Sequence, residues 1–139
     1  RTGANLLLTT LGVDAVAAGE VRLPGGTTLT PPGAALAQLR VGGRPLLLGA
    51  ATLIGNAADR LAQARQLQAE VARQVPGTAP AVLSAIGTDR PGTAAWQALA
   101  DGRVAAGGRF YVDDPVTVVE TRELGRFAVR PAVLAVLEV

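Results

Sequence analysis

The sequence has no cysteine, no histidine and no lysine, and aromatic side chains make up only 3% of it. Without cysteine there are no disulfides, thiol nucleophiles or cysteine zinc sites. The lack of histidine removes the commonest general base and the commonest transition-metal ligand. All 13 cationic side chains are therefore arginine, which excludes Schiff-base chemistry and a P-loop lysine. So few aromatics leave the core to Leu, Val and Ala, although hydrophobic residues still reach 49%. No apolar run approaches the roughly 18 residues of a transmembrane helix. No basic segment leads into an apolar stretch with a cleavage site, so no signal peptide is expected and the location is read as cytoplasmic, with no membrane partner. The pI of 10.4 arises because arginine stays charged, while the net charge is only +2. With acids and bases interspersed and no basic run, no nucleic-acid partner is expected. The glycine pairs at Gly25-Gly26, Gly42-Gly43 and Gly107-Gly108 form neither a dinucleotide fingerprint nor a P-loop.

At 139 residues the chain is the length of one domain, read as a single unit over 1–139. Apolar runs at 5–9, 45–50, 81–86, 109–112 and 126–129 predict strands, and 133–139 a sixth. Val21 and Leu23 alternate with polar neighbours ahead of Pro24-Gly25-Gly26, predicting a hairpin over 20–30. Thr30-Pro31-Pro32 is a helix start, for a helix to about 41. Asn56 caps the longest predicted helix, to about 74, with Leu61, Ala64, Leu67, Val71 and Val75 on one face and Gln63 largely elsewhere. Shorter helices are expected at 93–100 and, after Asp114-Pro115, up to Leu124. Strands alternating with helices predict an α/β, three-layer doubly wound domain with a mostly parallel sheet. In such sheets ligands bind beyond the carboxyl ends of the strands.

Several fragments carry a family resemblance. Phe110-Tyr111-Val112-Asp113-Asp114-Pro115, with Val119-Glu120-Thr121-Arg122-Glu123-Leu124-Gly125, resembles the fourth motif of haloacid dehalogenase-like (HAD) hydrolases. Ser84-Ala85-Ile86-Gly87-Thr88-Asp89-Arg90-Pro91 resembles the third motif, with Arg90 in place of lysine. Leu8-Thr9-Thr10-Leu11-Gly12-Val13 resembles the first, and the 20–30 hairpin falls where the family has its flap. The resemblance implies a HAD-like Rossmannoid fold with a flap and no large cap. It also implies lost chemistry, because Thr9 and Leu11 stand where the family has its two aspartates. The second motif is altered too, with Ala50 at the phosphate-binding position and Thr52 close by.

The leading expectation is thus a catalytically inactive HAD-like domain with a structural, binding or oligomerising role, its partner an unidentified protein or another copy of itself. One alternative is a divergent Mg²⁺-dependent phosphatase or phosphotransferase with a site rebuilt from Asp113, Asp114, Arg90 and Asp14. Another is an anion-binding module without chemistry, using Thr9, Thr52, Ser84 and Arg90. The only metal expectation is weak Mg²⁺ at Asp113 and Asp114, with no cofactor the other reading, and the same two acids can instead cap a helix. Arg90 is also read as the partner of Asp113 or Asp114. Trp96 is read as a packing residue, with an interface anchor as the alternative.

Overall fold

A computed structural model describes residues 13–26, 31–74, 79–88, 90–127 and 130–139. The described elements are β1 (Val13–Arg22), β2 (Gly33–Val41), β3 (Arg44–Thr52), α1 (Ala57–Gln74), β4 (Ala81–Ile86), α2 (Ala94–Ala100), β5 (Val104–Ala106), β6 (Phe110–Val112), β7 (Thr117–Phe127) and β8 (Arg130–Glu138). The strand predicted at 5–9 lies outside the described residues.

Six strands form one sheet in the order β1-β2-β3-β4-β6-β5, and β7 pairs with β8 in a separate hairpin. Among the described strands only β3 and β4 are parallel, while every other pairing is antiparallel. This overturns the expected mostly parallel, doubly wound sheet. Two predicted helices are strands. The segment Gly33–Val41 has the Ala, Leu and Gln content of a helix, yet it forms β2. Ala34 and Leu36 point to one face of the sheet, and Ala37 and Leu39 lie buried on the other. A strand covered on both sides rewards small apolar residues at every position, and burial there outweighs propensity. The stretch after Pro115 forms β7, consistent with the β-branched run Val116-Thr117-Val118-Val119. The predicted 20–30 hairpin is replaced by a longer one whose arms are β1 and β2.

The two faces of the sheet differ. On one, Leu36, Leu47, Leu83 and Tyr111 pack beneath Ala64, Leu67 and Val71 of α1 and Ala95 and Leu99 of α2. Each fully buried leucine contributes roughly 1.5–3 kcal/mol. Gly49 sits in register between Leu36 and Leu83. A Cβ there would lie 2.6 Å from Leu83 Cδ2 and 2.9 Å from Leu36 Cδ2, so two large side chains meet over it. On the other face Leu46, Val82, Val112 and Val116 form a second cluster, joined by Val118 and Leu137 of the β7–β8 hairpin. Trp96 packs partly buried against the first cluster. Among the described residues, no helix is long and apolar enough to cross a membrane.

Candidate functional site at one rim of the sheet

Strand direction decides which residues meet. β1 and β3 both run antiparallel to β2, and β4 runs parallel to β3. The carboxyl ends of β1, β3 and β4 therefore share one rim. The amino ends of β2 and β6 arrive there too, because β6 runs antiparallel to β4. In register along this rim stand Arg22, Gly33, Thr52 and Ile86, on the face away from the helices. One row deeper come Glu20, Ala35, Ala50, Ser84 and Phe110. The loop after β4 adds Gly87, Thr88 and Arg90, and Arg109 stands just before β6.

Backbone bonds hold this rim closely. The Leu53 N–H donates to the Ile86 carbonyl at 2.8 Å, tying the exits of β3 and β4. Ala85 N–H donates to the Arg109 carbonyl at 2.9 Å. Gly87 has φ +91°, and a Cβ there would fall 2.0 Å from the Leu53 carbonyl oxygen, so the two exits meet closer than any side chain permits. Thr88 is buried, and its carbonyl accepts from Thr93 Oγ1 at 2.7 Å. Thr93 thus fastens the loop instead of capping α2, where it makes no side-chain cap bond. Below the loop lies Tyr111, fully buried. Burial pushes its phenol above the ordinary tyrosine range, partly offset by the Thr88 side chain beside it. That contact falls short of a well-formed hydrogen bond, since Tyr111 Oη has none among the described residues.

The residues singled out from the sequence divide between two edges. Thr52, Ser84 and Arg90 stand at the rim or just below it; Thr52 and Ser84 are half-buried and Arg90 is exposed. Thr9 lies outside the described residues. Asp14, Asp113 and Asp114 are at the opposite edge. Asp14 is the second residue of β1, and Asp113 follows β6, whose direction carries it to the start of β4. There Asp113 Oδ2 accepts from the Ala81 N–H at 2.8 Å, and Oδ1 lies 2.7 Å from Arg103 Nε. Its cationic partner is thus Arg103 and not Arg90. Asp114 caps no helix: it precedes a cis Pro115 in a turn leading into β7. Asp113, Asp114, Arg90 and Asp14 therefore do not share one end of the sheet. Among the described residues, no three of Asp, Glu, His or Cys group together as metal ligands.

No sequence motif singles out Arg22, Arg109 or Gln63, whereas Thr88 lies in the Ser84–Pro91 segment that resembles the third HAD motif. Gln63 was placed off the apolar face of α1, but it is fully buried, together with Ala64, Leu67 and Val71. The available signal was its spacing, four residues before Leu67 on the buried stripe.

No family model and no curated protein matches the sequence. Solved structures do. An endonuclease/exonuclease/phosphatase from Bacteroides vulgatus superposes with TM-score 0.73 and 12% identity, covering 91% of this chain and 66% of its own. A mannosyl-6-phosphatase from Bacteroides thetaiotaomicron gives 0.66 and 17%, covering 89% and 62%. The human Nocturnin catalytic domain, solved with a bound sulfate anion, gives 0.67 and 15%, covering 78% and 51%. The chain thus spans between half and two thirds of the length of these structures. The HAD resemblance is overturned, since its fourth motif needs a helix where β7 runs and its sheet needs parallel neighbours that are antiparallel here. The reading as an inactive HAD-like domain, with its alternatives, falls with that fold. The architecture of this chain is instead that of the endonuclease/exonuclease/phosphatase structures.

Proposed function

We propose that this chain is a hydrolase-like domain that acts on phosphate esters, with the rim of Arg22, Thr52, Arg90 and Arg109 as the place where the phosphoryl group is met. The observation that carries the proposal is the agreement between fold and rim. The structures it resembles are described as nucleases and phosphatases, one of them with an anion bound. The carboxyl ends of β3 and β4, the parallel pair among the described strands, open on this rim, and it is at such strand ends that ligands collect in open α/β sheets. The rim brings cationic and hydroxyl groups and no cluster of carboxylates among the described residues.

Guanidinium groups present planar donors matched to phosphoryl oxygens, and hydroxyl donors add directed bonds. Phosphoryl transfer depends mainly on positioning and on stabilising charge at the equatorial oxygens. In this reading the arginines neutralise that charge and Thr52 orients the group against the sheet. The nucleophile is water, and no side chain on the rim is assigned a covalent role.

The test is hydrolysis of an aryl phosphate monoester and an aryl phosphodiester, with and without divalent cations. It compares the protein with Thr52→Val, Arg109→Ala and Arg122→Ala. The expected result is turnover that falls at least about tenfold in kcat/KM for the two rim variants and is unchanged for Arg122→Ala. No turnover of either ester under any condition, or equal activity in all variants, overturns the proposal. Preference for the diester would assign a nuclease-like substrate class, and preference for the monoester a phosphatase-like one.

A further inference from the structure

Gln63 is one of two buried polar residues among those described, and it is fully enclosed on the face of α1 that meets the sheet. Its side-chain amide makes three bonds. Oε1 accepts from the Ile54 N–H at 2.9 Å, and Nε2 donates to the Ile54 carbonyl at 3.0 Å and to the Pro24 carbonyl at 2.9 Å. The amide thus treats the Ile54 backbone as a neighbouring strand would, satisfying its donor and its acceptor together. Ile54 lies two residues beyond Thr52 on the exit of β3, and Pro24 lies two residues beyond Arg22 on the exit of β1. The Leu53 N–H carries the same fixation across to the exit of β4 through the Ile86 carbonyl. One side chain therefore sets the relative position of the two loops that follow Arg22 and Thr52. Helix α1 holds it there through Ala64, Leu67 and Val71, and none of these touches solvent appreciably.

The bonding pattern has a chemical consequence. All three partners are backbone groups with fixed polarity, one donor and two acceptors, with Ile54 half-buried and Pro24 exposed. Only a side chain with an acceptor and two N–H donors satisfies all three, which glutamine does and glutamate does not. A carboxylate keeps the Ile54 N–H bond but faces two carbonyl oxygens without a proton to donate. When protonated it regains one of those bonds. Burial near carbonyls raises the pKa of such a carboxyl, so the regained bond appears as pH falls.

We infer that Gln63 is a positioning residue for the rim: it acts on substrate through the loops that follow Arg22 and Thr52, and it touches no substrate itself. This rests on the proposed function, and the test separates the two. The variants are Gln63→Glu and Gln63→Met. Gln63→Met keeps the volume but leaves three backbone groups unpaired, and its folding is followed by thermal melting. Gln63→Glu carries the decisive measurement. Amide hydrogen exchange is read at residues 23–26 and 53–56, and at 64–71 in the centre of α1, alongside aryl phosphodiester hydrolysis at several pH values.

In Gln63→Glu near neutral pH, the amides of the two loops are expected to exchange about tenfold faster, because the lost bonds to the Ile54 and Pro24 carbonyls loosen both loops even though the Ile54 N–H keeps its acceptor. The centre of α1 should stay protected. The loss in hydrolysis should fall on kcat/KM and should partly recover as pH is lowered, relative to the unsubstituted protein at the same pH. Unchanged exchange in both loops overturns the inference. So does faster exchange without any loss of hydrolysis, because the loops would then be free to move at no cost to the site. If the unsubstituted protein hydrolyses nothing, the proposed function fails. The inference about Gln63 then narrows to loop fixation, decided by exchange alone, and its action on substrate is rejected.

Discussion

The two edges of the six-stranded sheet are built from different chemistry. At the rim, the exits of β1, β3 and β4 are held by neutral bonds: the Gln63 amide, the Leu53-to-Ile86 backbone bond and the Thr93 hydroxyl on Thr88. At the opposite edge an ion pair does the holding. Arg103 meets Asp113 at 2.7 Å, reaches Gln68 Oε1 on α1 at 2.6 Å, and contacts the Leu99 carbonyl at the end of α2 at 3.3 Å. Asp113 in turn fastens the first residue of β4. One guanidinium thereby links α1, α2, β5 and β4. Asp113, which with Asp114 looked most like catalytic machinery in the sequence, is a clamp. The edge with no marked sequence signature carries the exposed Arg22 and Arg90 beside the half-buried Thr52. A charge fully occupied by a structural partner has little capacity left for a ligand.

Substitutions at each edge can break this contrast, and the largest effect is expected at the rim. Gly87→Ala places a Cβ 2.0 Å from the Leu53 carbonyl oxygen at a positive φ, so about 4 kcal/mol or more of stability should be lost in denaturant titration. A loss under about 1 kcal/mol would mean that the β3 and β4 exits are not locked together.

Asp113→Ala comes next. It strands Arg103 with only 9% of its side chain exposed and removes the acceptor for Ala81 N–H, for about 2–3 kcal/mol. Hydrolysis per folded molecule should not change, and a selective loss of turnover would bring this edge back into the site.

Tyr111→Phe is smaller and depends on pH. Among the described residues the hydroxyl has no well-formed partner, so at neutral pH the change should stay within about 0.5 kcal/mol. Because the folded-state phenol titrates above its unfolded value, the folded state holds its proton more tightly. That preference is fully present below about pH 10 and is lost as pH rises through the folded-state value. The sequence has no lysine or cysteine and no second tyrosine, so the alkaline decline should flatten in the Phe variant. A decline unchanged by the substitution would move its origin elsewhere.

The smallest effect is expected at Arg122→Ala. Its pair with Glu120 at 2.7 Å is widely exposed, and melting should shift by no more than about 0.5 kcal/mol.

Parts of this fold were legible because the signal is local. Helix α1 begins where Asn56 predicts. Asn56 Oδ1 accepts from the Asp59 N–H at 3.0 Å, and Asp59 Oδ2 accepts from the Asn56 N–H at 3.1 Å. Its buried stripe of Ala64, Leu67 and Val71 follows the predicted face. β4 falls on the residues expected of it, since a run of that length, apolar except for Ser84, suits a strand buried on both faces. The misreadings were not local. Gly33–Val41 carries helical composition, and only its place between two strands makes it β2. Asp113-Asp114-Pro115 fits a helix start equally well on paper. The short β5–β6 return reverses the chain before it and sends both acids to the far edge.

The sequence by itself determined what chemistry the chain lacks, where its longest helix lies and which segments are apolar enough for a core. Those properties follow from composition and from spacing within a few residues. Strand direction and sheet order were decided only in the tertiary structure, and with them which residues share a rim. Thr52, Thr88 and Arg109 are far apart in the chain and carry no common motif. They fall at one end of the sheet because β3 and β4 run parallel while β6 returns against them, and pairing energies between strands depend on partners that no local window contains.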